Sequence, residues 1–299
     1  MQGGELAALA HSLFIRLLCL VMETLQVLSA AGLRREIAWR NLRRGRVHAH
    51  EVTYGRVPSV IFQESEAGHG NFLEASYRAI QGRPEWAGRL QKSYTAGKWV
   101  PRRWDRSRAE LDCANSSDAL LMNVFCYPGV MAHLPLCALL GVDCGVDPEF
   151  GYKPRVPLMG GKRGRALVDT TEVDMVLGSV LVEAKLTESS FQTAPLGRVL
   201  RYIGLEEVFD VDELPMTGCS VQSYQLIRGV MAARHEGRSF VVVCDGRRVD
   251  LREKWFQVMR AVRCCELRSR LGLVTWQEIA GVVPGVVRGF LGEKYGIVG

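Results

Sequence analysis

The chain has 299 residues, of which 47% are hydrophobic and 23% charged; this is an ordinary balance for a globular protein, and the length suffices for a full core. A formal net charge of +6 permits a polyanionic partner without requiring one. Nine cysteines without a C-x-x-C pair argue against a zinc site or an iron–sulfur cluster, and for free thiols in a reducing cytoplasm; repeats and low-complexity tracts are absent.

Residues 5–33 are strongly apolar, but Arg16 and Glu23 interrupt the run. No uncharged stretch therefore reaches the ~18 residues of a membrane span, and neither a basic region nor a small-residue cleavage site marks a signal peptide. The expectation is an amphipathic helix packing on the core or on a partner; translation from Met22 is the other reading. Residues 34–46 carry six arginines in thirteen positions, with Trp39 among them. They form either a phosphate-contacting run or a solvated helix face. His48 and His50 would share a strand face, yet no third ligand follows at metal-site spacing, so they read as structural. Residues 58–63 read as a strand and 71–81 as a helix.

In residues 92–108, K-S-Y-T-A-G-K-W-V-P-R-R-W-D-R-S-R, basic and aromatic side chains alternate through a Gly- and Pro-containing loop. Lys98, Arg102 and Arg103 can hold phosphates while Trp99 and Trp104 stack on bases. The bland account is a surface loop anchored by its tryptophans. Ser116 or Ser117 caps a helix over 117–125, with Leu120, Leu121, Val124 and Phe125 as its apolar face. Asp118 then sits in the first turn and compensates the helix dipole. Residues 128–165 are rich in Gly and Pro. They end in a basic loop whose Lys162, Arg163 and Arg165 can meet a phosphodiester backbone; this loop lacks the P-loop pattern.

Residues 171–187 read T-E-V-D-M-V-L-G-S-V-L-V-E-A-K-L-T. Two apolar strands, 173–177 and 180–186, are expected to meet at a tight Gly178-Ser179 turn. Period-two alternation points Glu183 and Lys185 the same way, and the hairpin brings Asp174 beside them. A solvated E-x-K ion pair is the bland account. Burial argues against it, because close buried carboxylates need a cation between them, and Mg2+ prefers oxygen ligands. From Lys185 to Pro215 the chain reads as polar loop with one short helix. Residues 222–235 read as a helix with Gln222, Gln225 and Gly229 on one side. Residues 240–244 are a buried strand, and 247–299 look helical, with T-W-Q-E at 275–278 as a capping box.

Asp174, followed after eight residues by Glu183-Ala184-Lys185, resembles the D…(D/E)-x-K signature of the PD-(D/E)xK nuclease superfamily, the restriction-endonuclease-like fold. Val173 stands where that signature often has proline. The superfamily's order of helix, three strands, helix and strand can be laid on helix 117–125, a first strand at 165–169, the hairpin, helix 222–235 and strand 240–244. The resemblance implies an α/β fold: a restriction-endonuclease-like core over 116–246, with a central mixed β-sheet flanked by helices. A basic region (34–115) would pack on it, with helical N- and C-terminal additions (1–33 and 247–299), in one compact domain. It further implies hydrolysis of nucleic-acid phosphodiesters, DNA in the first place, with Mg2+ or Mn2+. Asp174, Glu183 and the Ala184 carbonyl would bind the ion, Lys185 would orient water or offset phosphoryl charge, and Gln225, or in second place Tyr224, would approach from its helix, the bland account of both being ordinary helix surface. Asp118 and Glu110 are candidates for the acidic group that the superfamily's first helix sometimes adds. The basic runs should line one groove around Glu183. A homodimer is left open. The alternatives are a nucleic-acid-binding protein of the same fold that does not cleave, and a structural ion network.

Overall fold

The structure, a computed structural model, describes residues 27–53, 57–66, 68–92, 109–160 and 167–299. Helix α1 (Ala30–Arg44) begins at Ser29, whose hydroxyl accepts the Gly32 N–H. The strand expected at 58–63 is Val60–Phe62, paired with His50–Val52. The helix expected from residue 71 starts only at Glu74, because the Asn71 amide turns inward to the carbonyls of Leu111 and Cys113. Helix α2 (Ser117–Phe125) falls where its pattern put it, with Ser116 Oγ accepting the Ala119 N–H at 3.1 Å.

Then come strands β1 (Glu149–Tyr152), β2 (Val173–Leu177) and β3 (Val180–Ala184), helix α3 (Tyr224–Glu236), strand β4 (Ser239–Cys244), helix α4 (Val249–Ala261), strand β5 (Leu271–Thr275), and helices α5 (Trp276–Val282) and α6 (Gly285–Tyr295). They build a five-stranded mixed sheet in the order β5-β4-β3-β2-β1. β3, β4 and β5 are parallel, while β2 is antiparallel to both β3 and β1. Parallel neighbours need long crossovers, and the segments carrying α3 and α4 supply them. One face, with Met175, Leu177, Val182 and Val243, packs against α1, α2, α5 and α6. The other, with Val176, Leu181, Phe240 and Val242, packs against α3 and α4. Gly229 lets α3 close on the sheet, since a Cβ there would collide with the Phe240 ring.

Several expectations need correction. Residues Leu167–Asp169 do form a strand, but it pairs with Val156–Leu158 in a separate ribbon. The sheet's first strand is instead Glu149–Tyr152, inside the Gly- and Pro-rich stretch. An edge position tolerates such residues because only one side of the strand must pair. The 247–299 region is not all helical: Leu271–Thr275 is the fifth sheet strand, and its L-G-L-V-T run is too short for periodicity to separate strand from helix. Gln222 lies in the strand Ser220–Gln222, outside α3, so it shares no helix face with Gln225. Two short helices, Leu196–Val199 and Leu205–Val208, stand where one was expected. The Thr275–Glu278 capping box is formed, with Thr275 N–H donating to Glu278 and Glu278 N–H to Thr275 Oγ1. Among the described residues Cys113, Cys126, Cys137 and Cys244 are buried as expected, but Cys144, Cys219 and Cys265 are exposed.

Candidate active site

The hairpin turns at Gly178, whose φ of +53° suits glycine in a tight strand connection. β2 and β3 pair as Met175↔Val182, Val176↔Leu181 and Leu177↔Val180. Continued by one residue, this register sets Asp174 opposite Glu183, on the sheet face that carries Val176 and Leu181. The strand ends at Ala184, so Lys185 is the first residue beyond it. Its backbone is nonetheless held on both sides: its N–H donates to the Val243 carbonyl at 2.8 Å, and its carbonyl accepts the Trp276 indole N–H at 3.1 Å. Arg248, fully buried, clamps the following turn through the Leu186 and Glu188 carbonyls.

Glu183 is 2% exposed and Lys185 6%, and Asp174 is half-buried. Lys185 Nζ donates to Glu183 Oε1 at 2.6 Å, and the Ala184 N–H donates to Asp174 Oδ2 at 2.7 Å. Burial, and then the charge of Glu183, push the Asp174 carboxyl well above its ordinary range. For Lys185, burial opposes the charged form, but Glu183 and Asp174 outweigh it and hold the ammonium above the ordinary lysine range. The group therefore behaves as a carboxylate pair short of positive charge. Gln225 stands in the first turn of α3, its N–H bonded to the Phe191 carbonyl at 3.0 Å. The Phe191 ring lies 5.8 Å from Lys185 Nζ.

A second cluster adjoins this one. Arg89 donates to Asp118 at 2.7 Å and to Glu172 at 2.8 Å. Lys92 reaches Asp118 at 2.8 Å, Glu172 at 3.2 Å and Glu110 at 3.3 Å. Asp118 therefore does more than compensate a helix dipole: it is buried and ion-paired, and its charge also raises Asp174. Burial and the neighbouring Asp118 raise Glu110. Glu172 is held low by Arg89 and Lys92 despite its burial. Arg228, 2% exposed, ties the Thr171 and Glu172 carbonyls to α3 just before Asp174. Arg89, Arg228 and Arg248 did not stand out in the sequence, and Lys92 did so only as the first residue of the basic–aromatic run 92–108. For this cluster Glu172 carried a signal, two residues before Asp174 and so on the same face of an extended chain.

The arginines of α1 do not act as one surface. Arg34 reaches the Thr187 carbonyl at 3.3 Å, two residues past Lys185, whereas Arg40 and Arg44 bind α6 at Gly292 and Glu293. Lys98, Trp99, Arg102, Arg103, Trp104, Lys162, Arg163 and Arg165 lie outside the described residues, as does most of the apolar 1–33 segment. Among the described residues no three His, Cys, Asp or Glu side chains converge as a metal site, and no helix is long and apolar enough to cross a membrane.

A five-stranded mixed sheet flanked by helices, with Asp174, Glu183 and Lys185 gathered at its central hairpin, defines a mixed α/β protein. The chain belongs to the family described as "Restriction Endonuclease associating with ARP", whose model matches residues 39–296. No curated protein and no solved structure matches it. Membership brings a nuclease-like function and agrees with the resemblance carried by Asp174, Glu183 and Lys185.

Proposed function

We propose that the chain is a metal-dependent nuclease of the PD-(D/E)xK type that hydrolyses nucleic-acid phosphodiesters, DNA in the first place. The observation that carries this is the register of β2 on β3. It sets Asp174 opposite Glu183, with the Lys185 ammonium 2.6 Å from Glu183, in a chain whose family is described as a restriction endonuclease. The run α2, β1, β2, β3, α3, β4 supports a restriction-endonuclease-like core. By the same family description, association with ARP is part of the proposal.

The donor set suits a hard divalent ion. Ala184 N–H and Lys185 Nζ each take one carboxylate oxygen. Among the described residues, no hydrogen bond engages Asp174 Oδ1 or Glu183 Oε2. These two oxygens and the Ala184 carbonyl would hold Mg2+ or Mn2+, and the raised Asp174 carboxyl marks a place that gains from added positive charge. Such an ion, when bound, lowers the pKa of its water and polarises the phosphoryl group. Lys185, its backbone fixed by Val243 and Trp276, is positioned to donate to a phosphoryl oxygen and offset its growing charge. Gln225 is the proposed fourth contact, at the start of α3. The closed Lys185–Glu183 pair is also what a non-cleaving nucleic-acid-binding protein would show, so activity decides between the two readings.

The test is cleavage of plasmid or oligonucleotide with Mg2+ or Mn2+, with chelator as control. Glu183→Gln, Asp174→Asn and Lys185→Ala are each expected to lower the rate by at least about 100-fold, the scale of losing one preorganised electrostatic group, with circular dichroism unchanged. Cleavage by Glu183→Gln at the wild-type rate would put the chemistry elsewhere.

A further inference from the structure

A cavity of about 510 Å3 opens where the Leu167–Asp169 strand leads towards β2, lined by Asp169, Thr170, Arg198, Arg201, Tyr202 and Tyr224 among others. Its floor is a closed hydrogen-bond group. The Tyr202 hydroxyl and, at 3.3 Å, the Tyr224 hydroxyl donate to Asp169 Oδ2, and the two hydroxyl oxygens are 2.8 Å apart. The Thr171 N–H donates to Asp169 Oδ1 at 2.8 Å. Both tyrosines are buried, at 2% and 4% exposure. At the rim the Arg198 guanidinium lies 4.8 Å over the Tyr224 ring. Arg201, one turn further, donates to the Met159 carbonyl at 3.3 Å, and both arginines are exposed. Tyr224 precedes Gln225, so the cavity adjoins the start of α3.

A free anion does not suit the whole cavity. Despite burial, the Thr171 and Tyr202 donors keep Asp169 below its usual range, hence charged, and a carboxylate in the floor repels a phosphate that goes deep. Positive charge is confined to the rim. The volume falls in the roughly 300–1,000 Å3 range of small-molecule pockets. A concave pocket accepts a base only when that base has left the helical stack, and guanidinium and aromatic planes are what unstacked bases lie on. We propose that this cavity binds one unstacked nucleotide of the nucleic-acid substrate, with its phosphate at Arg201 and the edge of Arg198 and its base and sugar over the Tyr202–Tyr224–Asp169 floor. The nature of the ligand rests on the nuclease reading above; the cavity, its charge pattern and its position do not.

The experiment is a fluorescence-anisotropy titration in chelator, at several salt concentrations, of a short labelled oligodeoxyuridylate, an oligouridylate and a duplex of the same length. The double variant Arg198→Ala/Arg201→Ala is expected to bind the single strands about tenfold more weakly. Its salt slope should be lower by about 0.7 for each phosphate deprived of its arginine, with the duplex little changed. Thr170→Trp, which fills the mouth and keeps both arginines, should weaken single-strand binding with the slope unchanged. Circular dichroism checks that both variants fold, and the tighter of the two single strands identifies the sugar. Wild-type affinity and slope in both variants, an equal loss on the duplex, or no single-strand binding by the wild type would overturn the proposal. Cleavage measured in parallel keeps the two readings apart. Arginine-dependent binding without cleavage upholds the cavity and removes the nuclease, whereas Glu183-dependent cleavage with unaltered binding removes the cavity alone.

Discussion

Asp174 sets the pH behaviour expected of the site. Burial and the facing Glu183 raise its carboxyl in the folded state, so the fold holds a proton that the unfolded chain has already released. Unfolding free energy then falls as pH rises from the ordinary carboxylate range through the raised folded value. Lys185 is raised as well; its contribution is complete below the ordinary lysine range and is lost only above it, so it does not mask the first effect near neutrality. The metal-free protein is expected to melt at lower temperature as pH rises through the Asp174 window, and Asp174→Asn should flatten that slope. Mn2+ should restore stability in the wild type, by about 2.7 kcal/mol at a hundredfold excess over its dissociation constant, and should do little for Asp174→Asn. Scanning calorimetry across pH, with chelator or Mn2+, reads both effects. A wild-type melting temperature indifferent to Mn2+ would contradict them.

The edge strand β1 shows how one element serves the site next to it. Its pairing with β2, Phe150↔Met175 and Tyr152↔Val173, sets Gly151 opposite Asp174. Gly151 has φ +71°; a Cβ there would run into the Arg89 guanidinium and lie 3.1 Å from the Glu172 carboxyl carbon. Glycine at this point both relieves the backbone and leaves room for Arg89 to reach Asp118 and Glu172. Gly151→Ala should therefore cost about 1–2 kcal/mol for the left-handed backbone alone, with a further loss as Arg89 is pushed from its carboxylates. Urea denaturation measures the first, and cleavage should fall together with stability. A Gly151→Ala protein as stable as wild type would mean that the edge strand yields without effect. The same geometry explains why β1 escaped the sequence reading: a glycine in the left-handed region, within a Gly- and Pro-rich stretch, carries no strand signature of its own.

Across the whole molecule, the two ends of the described chain close on each other. The Asn41 amide of α1 donates to the Lys294 carbonyl of α6 at 3.1 Å, and Lys294 Nζ donates to Asn41 Oδ1 at 2.5 Å. Arg40 and Arg44 add bonds to Gly292 and Glu293, and the Leu28 N–H meets the Arg247 carbonyl at 2.9 Å. Lys294 is 1% exposed. Burial, followed by the Arg44 charge, drives its pKa well below the ordinary lysine range, although the faces of Phe62 and Tyr295, 5.0 and 4.9 Å away, favour the cation. Here the folded state holds fewer protons than the unfolded chain. Stability should rise with pH from the folded pKa up to the ordinary lysine range, opposite in sign to Asp174. Lys294→Met should abolish that rise and leave Asn41 Oδ1 without its donor, at about 1–3 kcal/mol. Urea midpoints at neutral and alkaline pH provide the measurement, and an unchanged pH slope in the variant would count against the clasp.

Helix α2, the β2–β3 hairpin and strand β4 could be read from the chain because each is specified locally. Ser116 caps its own helix, Gly178 turns its own hairpin, and β-branched residues fill both faces of a buried strand. The proximity of Asp174, Glu183 and Lys185 followed from the same local rule, since alternation and a two-residue turn suffice to put all three on one face. Sequence alone therefore determined the hairpin and the grouping of its three charges. What surrounds them was decided in three dimensions. Arg89, Lys92 and Asp118 come from separate segments, Trp276 and Val243 hold Lys185 from across the sheet, and Arg228 fixes the approach to Asp174 from α3. The strands β1 and β5 lie at the two edges, where one-sided pairing relaxes the demand on residue type. Local patterning cannot encode contacts between segments far apart in sequence; they exist only once the sheet has chosen its strand order and brought those segments together.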